Sequence, residues 1–260
     1  MNSLCRVSVT AYVALMPLMF CACGLRGDKG TASAQPLLPA SVAPILLFNG
    51  IGTSPNDVIA VETILGDNHL NYSKVNSSQL DGMGEKQLGE YRLLIVPGGN
   101  FIDIGKGLTP NTTASVRRAV QGGLNYLGIC AGGFFAGSSI YNALNLTSGV
   151  KFHFYAAEER GIRKAAVAIT DADGSTLEQY WEDGPQFAGW GAIVSKYPDG
   201  TPATVEGTFG SGWVILTGVH PEAPTDWRRG MIFNTPANVD HAYAGKLILA
   251  ALNRTSLPHF

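Results

Sequence analysis

The sequence has little charge and no local concentration of it. Charged residues make up 15% of the 260 residues, the formal net charge is −2, and no cluster of lysine and arginine stands out. A nucleic-acid-binding surface needs a basic face, and adsorption to anionic lipid needs a polybasic segment. The composition therefore gives no reason to expect either partner. Hydrophobic residues at 45% and 32 glycines instead favour one compact α/β domain with many tight turns.

The sequence also lacks an apolar run of the usual membrane-spanning length. Residues 7–22 are almost wholly apolar, but about sixteen residues fall short of the roughly twenty that a helix needs to cross a bilayer, and Pro17 interrupts the run. A short apolar core that follows Arg6 is typical of a signal peptide. The sequence therefore predicts an exported protein with a signal peptide over residues 1–22, and a retained anchor is the alternative.

Two processing sites compete behind this apolar core. Residues 20–24, Phe-Cys-Ala-Cys-Gly, resemble a bacterial lipobox with Cys23 as the lipidated residue, although its first residue is Phe rather than the usual Leu. Cleavage after Ala34 would instead give a secreted protein. Residues 23–43 are rich in Gly, Ala, Ser and Pro, which predicts a flexible tether before a domain over residues 44–260. We expect a protein of the cell envelope or periplasm, which contacts the membrane only through lipid on Cys23 or is alternatively secreted.

Cysteine is scarce in the part of the chain that is expected to fold. Of the four cysteines, Cys5 and Cys21 fall in the signal segment and Cys23 would carry lipid. Cys130 is then the single thiol of the domain, without an intramolecular partner, although exported proteins meet oxidising conditions. Cys130 is therefore either buried and inert or a nucleophile.

Apolar segments bounded by turn residues predict alternating strands and helices in the first half of the domain. The predicted strands cover residues 45–48, 71–75, 91–96 and 124–129, and the predicted helices cover residues 55–65, 111–121 and 134–140. Ser54 is a good N-cap, Pro55 suits the first helical position, and Asp57 falls at the capping-box position. This alternation predicts a parallel, doubly wound sheet.

The second half of the domain has a different pattern. Short strands are predicted over residues 165–170, 189–196, 202–208 and 212–217, and an amphipathic helix over residues 240–253. Pro198-Asp199-Gly200 and Gly210-Ser211-Gly212 suit hairpin turns. Antiparallel strands are therefore expected to extend the sheet.

Cys130 lies between a predicted strand and a predicted helix, in the form Gly-x-Cys-x-Gly. This is the cysteine version of a nucleophile elbow, a sharp and strained turn that projects the nucleophile from the edge of a sheet. The residues two before and two after it approach each other closely, and Gly128 and Gly132 satisfy the need for small side chains. A buried core cysteine beside a glycine-rich turn is the alternative. A phosphate loop is disfavoured because no lysine follows.

The predicted strand 212–217 leads into His220-Pro221-Glu222. A histidine can take the proton of a thiol and return it to a leaving group. Glu222, two residues on, can face the same side of an extended chain and orient the imidazole. A single histidine after a strand is usually structural, but together with the elbow these residues predict a triad of Cys130, His220 and Glu222.

Residues 126–133, Tyr-Leu-Gly-Ile-Cys-Ala-Gly-Gly, and residues 218–222, Gly-Val-His-Pro-Glu, resemble the class I glutamine amidotransferase-like superfamily. Residues 49–54 and 96–99 add to the likeness, which is closest to the amidotransferase-like domain at the N-terminus of biotin–protein ligases. The resemblance covers about residues 44–252. It implies a flavodoxin-like, three-layer α/β fold whose mostly parallel sheet carries antiparallel strands in its C-terminal half.

The resemblance also implies roles for individual residues. Cys130 would attack the carbonyl of a small-molecule or peptide amide. His220 would act as the general base, and Glu222 would orient the imidazole. The backbone N–H of Ala131 and one from Gly98 or Gly99 would form an oxyanion hole. No cofactor and no metal are implied, and a protein partner is not identified.

The sequence departs from this family in two respects. Amidotransferases usually carry a glutamine soon after the elbow, whereas Gly133-Phe134-Phe135 stands here, which puts glutamine in doubt as the substrate. Neither a synthetase domain nor a biotin-ligase catalytic domain is recognised, so ligation of biotin does not follow from the likeness.

The expected function is therefore an exported cysteine hydrolase of a C–N bond. A catalytically silent module that binds a small ligand, or a structural partner in an envelope complex, is the alternative. Asn100, Asp183 and Trp227 are candidates for the substrate pocket. An exposed acidic loop over residues 181–185 and a surface turn around Trp227 are the alternative interpretations.

Overall fold

A computed structural model of the chain describes residues 43–260. The predicted signal peptide, the lipidation site at Cys23 and the tether lie outside the described residues, apart from Ala43 at the end of the tether. These interpretations stay predictions. None of the helices within residues 43–260 combines the length and the apolar character that a membrane crossing requires.

The described chain builds one nine-stranded sheet with helices on both faces. The strands of the large sheet run in the order β2-β1-β3-β4-β11-β10-β9-β6-β7, and β5 and β8 form a separate two-stranded ribbon. The strands are β1 (Ile45–Phe48), β2 (Tyr72–Val75), β3 (Leu93–Val96), β4 (Asn125–Ile129), β5 (His153–Phe154), β6 (Lys164–Asp171), β7 (Thr176–Glu182), β8 (Pro185–Gln186), β9 (Ala192–Lys196), β10 (Pro202–Phe209) and β11 (Gly212–Thr217). The helices are α1 (Pro55–Asp67), α2 (Ser77–Asp81), α3 (Glu85–Leu88), α4 (Phe101–Lys106), α5 (Pro110–Gly122), α6 (Ala131–Ala136) and α7 (Ala237–Asn253).

The five strands β2, β1, β3, β4 and β11 are parallel to one another. The remaining four strands extend the sheet by antiparallel pairing. The predicted three-layer α/β fold with antiparallel strands in the C-terminal half is confirmed. The alternation of strands and helices along the chain explains this fold, because two adjacent parallel strands need a connection that crosses over the sheet, and a helix supplies that connection.

Alternate side chains of the parallel strands build two cores. Leu46 and Phe48 of β1 face a core that contains side chains from α2 to α6, while Ile45 and Leu47 face a core shared with α1 and α7. The side chains alternate because successive residues of a strand point to opposite faces. All four residues are almost fully buried, so β1 is an inner strand, as its uninterrupted apolar sequence predicts.

The antiparallel half contains the strands β5, β7 and β8, which the sequence interpretation lacks, and β7 is the longest of them. Trp181 and Glu182, for which the sequence favours an exposed acidic loop, belong to β7. Trp181 is fully buried and packs edge-on against Tyr155 in a third apolar cluster. The alternation of β7 is obscured in the sequence because the polar Gln179 is also fully buried in it.

The helix that follows Cys130 begins and ends earlier than predicted. The pattern predicts residues 134–140, whereas α6 starts at Ala131, directly after Cys130, and ends at Ala136. Gly137 then adopts extended backbone and donates its N–H to Phe134 O. A Cβ on Gly132 would lie 1.9 Å from the carbonyl oxygen of Val96, so α6 can pack this closely on β3 only with glycine at this position.

A loop over residues 224–236 joins the last strand to α7 and is anchored by a buried charge pair. Arg228 Nη1 lies 3.3 Å from Asp240 Oδ2, and both residues are more than nine-tenths buried. The Arg228 guanidinium also lies 3.8 Å from the centre of the Phe233 ring. Burial raises the pKa of Asp240 to about 7, although Arg228 opposes this effect.

Gly132→Ala is expected to destabilise the domain, because the new methyl group would overlap the Val96 carbonyl of β3. Overpacking of this kind costs about 1–3 kcal/mol or more. Gly66→Ala in α1 is the matched control, since a Cβ there meets no atom within 4 Å. This substitution should raise the free energy of unfolding by up to about 1 kcal/mol, because alanine favours the helix more than glycine does. Urea unfolding of both variants tests this. Equal stability of the two variants would contradict the packing described here.

Asp240 is expected to make the free energy of unfolding fall as pH rises. The folded-state pKa of about 7 lies above the ordinary 3.8, so between these values the native state binds more protons than the unfolded state. Asp240→Asn lacks this proton uptake and should gain stability relative to wild type between pH 4 and pH 8. Urea unfolding at several pH values measures this, and a constant difference between the two proteins across that range would refute it.

Candidate functional site

The predicted site residues meet where the central parallel strands end. Cys130 directly follows β4, Gly98 and Gly99 follow β3, and His220 follows β11. The strands β3, β4 and β11 are adjacent and parallel, so their carboxyl ends open at the same edge of the sheet. Ligand sites of open α/β sheets lie at this edge.

Cys130 has the backbone of a strained turn. Its φ is 49° and its ψ is −105°, a conformation that a residue with a Cβ rarely adopts. Such backbone costs of order 1–3 kcal/mol and persists only where the surrounding structure enforces it. A Cβ on Gly128 would lie 2.5 Å from the Gly132 carbonyl oxygen, so the two glycines meet as the elbow pattern requires.

Hydrogen bonds from both sides hold this turn in place. The Cys130 N–H donates to Thr217 O of β11 at 2.8 Å, and the Cys130 carbonyl accepts from the N–H groups of Gly133 and Phe134 at 2.9 and 3.1 Å. The buried hydroxyl of Tyr126 donates to Gly132 O at 2.8 Å. Sequence reasoning missed Tyr126, because its pattern is that of an ordinary core residue of β4.

The thiol of Cys130 is nearly enclosed. The residue is 5% exposed and belongs to the apolar core on the α1 and α7 side of the sheet. Its Sγ donates to the carbonyl oxygen of Glu182, at the end of β7, at 3.4 Å. The thiol is therefore hydrogen-bonded to this carbonyl, and it is also among the groups that raise the pKa of His220.

His220 is held by backbone and side-chain contacts. Its N–H donates to Tyr180 O at 2.8 Å, which forms an isolated bridge to β7. Its ring Nδ1 lies 2.9 Å from Glu222 Oε1. Glu222 is 1% exposed. Because Nδ1 faces the carboxylate, Nε2 is the ring nitrogen left to face the thiol.

A second carboxylate approaches the same ring nitrogen. Asp57 Oδ1, from the first turn of α1, lies 3.2 Å from His220 Nδ1. The sequence pattern assigns Asp57 to a capping box with Ser54, but the Ser54 N–H donates to Gly98 O instead and the Asp57 carboxylate faces the imidazole. One signal was present in the sequence: Asp57 follows the first strand and so belongs to the loops at the edge that carries Cys130.

The three ionisable groups shift one another's pKa. Burial lowers the pKa of His220, but Cys130, Glu222 and Asp57 together hold it well above its ordinary value. Burial raises the pKa of Asp57, but the contacts with His220 outweigh burial and leave it lowered. Burial raises the pKa of Glu222, and His220 offsets this only in part. A protonated imidazole that faces an ionised Asp57 is the arrangement these shifts favour.

The predicted oxyanion hole has free donors. Within residues 43–260, the N–H groups of Gly98, Gly99 and Ala131 donate to no backbone or side-chain acceptor. Gly99 has φ 141°, and a Cβ on it would lie 2.1 Å from Gly52 O. A Cβ on Gly98 would lie 2.0 Å from Asp57 Oδ1, so both glycines are required for this close approach.

The three candidate pocket residues have different surroundings. The side chain of Asn100 accepts from the N–H groups of Ile102 and Asp103 and so caps α4. Asp183, with φ 45°, pairs with Arg163 at 2.7 Å. Trp227 lies beside the predicted triad, with its ring centre 5.9 Å from that of His220 and 5.7 Å from that of Tyr180. Trp227 is therefore the one of the three that contacts the imidazole.

A polar cleft of about 420 Å³ opens on His220. Its other lining residues include Asp57, Tyr180 and Trp227, and the charged side chains Lys164, Glu182, Asp226 and Arg229. A larger cavity of about 730 Å³ lies at the opposite edge of the sheet, among Arg92, Asn125 and Arg254, and contains none of the predicted site residues. This larger cavity therefore lies away from the predicted chemistry.

Asp57, His220 and Glu222 also present one ligand atom each within 4.8 Å of one another. Imidazole and carboxylate are ligands that Zn²⁺ accepts. A metal ion here would use the nitrogen that faces the two carboxylates, in competition with the hydrogen bond to Glu222. The sequence predicts no metal, and that stays a prediction.

Comparison with known proteins gives a family for the first part of the domain. Residues 43–162 match the family model described as biotin–protein ligase, N-terminal. The chain is 26% identical to the biotin–protein ligase of Schizosaccharomyces pombe over 160 residues, which is 50% of this chain and 25% of the ligase. The chain thus spans about a quarter of the length of this relative.

Solved structures share the architecture at low sequence identity. The exo-β-1,4-mannosidase Op5Man5 from Opitutaceae bacterium strain TAV5 matches with a TM-score of 0.52 and 15% identity, over 81% of this chain and 36% of the mannosidase. A chain described as a GMP synthase subunit, from Thermoplasma acidophilum, matches with a TM-score of 0.48 and 12% identity, over 82% of this chain and 96% of that chain. The likeness to the mannosidase shows the fold alone. Residues 43–162 of this chain resemble the biotin–protein ligase N-terminal family, whose domain is amidotransferase-like.

Proposed function

We propose that this chain is an exported cysteine hydrolase that cleaves the C–N bond of an amide or peptide through Cys130, His220 and Glu222. One observation carries the proposal: Cys130 occupies a strained backbone with φ 49° at the start of α6, and His220 beside it contacts Glu222 at 2.9 Å. Strained backbone at a reactive residue is a recurrent property of functional sites.

The proposed reaction proceeds by acyl transfer. Cys130 passes its thiol proton to His220, and the resulting thiolate bonds to the carbonyl carbon of the substrate. The carbonyl π electrons move to oxygen, which accepts hydrogen bonds from the N–H groups of Ala131 and Gly99. His220 gives its proton to the leaving nitrogen as the C–N bond breaks, which leaves a thioester. A water molecule then adds to the thioester, passes a proton to His220, and the sulfur leaves.

The position of the charges supports the direction of proton transfer. The raised pKa of His220 favours the protonated imidazole, so the ring can hold the proton taken from the thiol until the amine leaving group requires it. The contact of Glu222 with Nδ1 directs Nε2 toward Cys130. The cleft beside His220 has charged walls, which suits a polar amide better than a long apolar one.

A catalytically silent ligand-binding module is the second candidate, because both reactive groups are nearly buried. Cys130 is 5% exposed and His220 is 4% exposed. Substrate must therefore displace the contact between the thiol and Glu182 O before it can be attacked. A small amide that raises the melting temperature of wild type and of Cys130→Ala equally, with no product formed, would favour this module.

Export is part of the proposal and rests on the sequence alone. The apolar residues 7–22 and the lipobox-like residues 20–24 support a lipid anchor on Cys23. Expressed in a bacterial host from its full sequence, the protein should then appear in the membrane fraction as a chain that begins at Cys23, with its mass increased by acyl chains. Cys23→Ala should abolish this increase, and an unmodified, uncleaved chain in wild type would refute the lipoprotein assignment.

Cys130 should react with iodoacetamide faster in the native protein than in the same protein unfolded in urea, because His220 activates the thiol. Peptide mapping separates Cys130 from the other cysteines, and Cys130→Ala should lose this label. His220→Ala should slow the native reaction by about 10²–10⁴-fold, the usual contribution of general acid–base catalysis.

His153→Ala is the matched control for His220→Ala, since His153 is exposed on β5 and lies outside the cleft that opens on His220. It should leave the labelling rate of Cys130 unchanged. A native rate no higher than that in urea, or equal rates in the two histidine variants, would exclude an activated nucleophile.

A further inference from the structure

His220 lies between two carboxylates, although a triad requires one. Asp57 Oδ1 and Glu222 Oε1 lie 3.2 and 2.9 Å from the same Nδ1. Asp57 is 7% exposed and Glu222 is 1% exposed. A buried carboxylate is costly unless a partner compensates for lost hydration, and the imidazole is the partner that both groups share.

The surroundings of Asp57 favour its ionised form. Asp57 is the third residue of α1, where the partial positive charge of the helix N-terminus stabilises an anion. The contacts with His220 leave the pKa of Asp57 below its ordinary value despite burial, whereas burial leaves that of Glu222 raised. Of the two carboxylates, Asp57 is therefore the one whose surroundings favour the ionised form beside the imidazole.

Asp57 also touches the strand-end loop that carries the predicted oxyanion donors. A Cβ on Gly98 would lie 2.0 Å from Asp57 Oδ1 and 2.7 Å from His220 Cε1. The loop, the carboxylate and the imidazole are thus in mutual contact. A capping role alone does not explain this orientation, because the Ser54 N–H that a capping box would use is donated to Gly98 O.

We infer that Asp57 is a positioning residue for the proposed chemistry: it favours the protonated form of His220, while Glu222 holds the orientation of the ring, so that the imidazole is ready to donate a proton. The catalytic role of Asp57 rests on the proposed function, whereas its effect on the protonation of His220 does not. Other groups that face His220 are the thiol of Cys130 and the ring of Tyr180, and the cleft adds Lys164, Glu182, Asp226 and Arg229.

Asp57→Asn in the full chain is the test, because asparagine keeps the shape and removes the charge. The titration of His220, followed by the NMR signals of its ring nitrogens, should move to lower pH than in wild type. The rate of Cys130 alkylation by iodoacetamide at neutral pH should fall by about tenfold, less than the 10²–10⁴-fold expected for loss of the histidine itself. Asp57→Glu should restore part of the rate.

Asp103→Asn is the matched control. Asp103 is also the third residue of its helix, α4, but it is exposed and faces no histidine among residues 43–260. It should leave both the titration of His220 and the alkylation rate unchanged. Thermal unfolding shows whether each variant folds, and Asp57→Glu supplies a second folded variant if Asp57→Asn does not fold.

An unchanged titration of His220 in a folded Asp57→Asn protein would overturn the inference. The inference would also be overturned if Asp103→Asn shifted the titration of His220 as much as Asp57→Asn does. If the titration moves as predicted but Cys130 is inert in wild type, the role of Asp57 toward the imidazole stands and the hydrolase proposal falls, so the two failures are distinguishable.

Discussion

The site depends on the positive φ of Cys130, a backbone conformation that the chain maintains against its intrinsic cost. Three structural elements enforce it: the carbonyl of Thr217 accepts the Cys130 N–H, the hydroxyl of Tyr126 holds Gly132, and the absent side chains of Gly128 and Gly132 leave room for the turn. Since β4 lies between β3 and β11, the turn at its end lies between the glycine loop that follows β3 and the histidine that follows β11. The geometry of one residue thus follows from the order of three strands.

Electrostatics then determine what the site can do. Three ionisable side chains, Asp57, His220 and Glu222, are buried together, and each would be costly there alone. The imidazole offsets the burial of the carboxylates, and the carboxylates in turn raise its pKa. A histidine held in this state is better prepared to donate a proton to a leaving group than to take one from a distant donor. A site in which Asp57 and Glu222 both face His220 accounts for the raised pKa of the imidazole. A triad of Cys130, His220 and Glu222 alone leaves the placement of Asp57 unexplained.

Much of this could be predicted from the sequence, and the exceptions have physical causes. The bounds of β1 agree with the prediction because Ile45-Leu46-Leu47-Phe48 is wholly apolar and is followed by Asn-Gly. The sequence predicts Cys130, His220 and Glu222 as one site because the cysteine elbow and the His-Pro-Glu segment each follow an apolar strand. It groups residues 212–217 with the antiparallel strands, however, and the parallel pairing of β11 with β4 is a tertiary feature that no local pattern reveals. Asp57 was misassigned because its position in the helix already has a sufficient local explanation in capping. β7 was missed because its buried Gln179 interrupts the expected alternation, and the start of α6 was misplaced because two glycines open that helix.

The most direct test of the account is whether an acyl group is transferred to Cys130. The native full chain is exposed briefly to p-nitrophenyl acetate, quenched in acid and analysed by intact mass and peptide mapping. Wild type should carry one acetyl group, on Cys130, and Cys130→Ala should carry no acetyl group at position 130 or at any other residue. Acetylation confined to lysines, or equal in the two proteins, would contradict the claim that the strained turn presents a reactive sulfur.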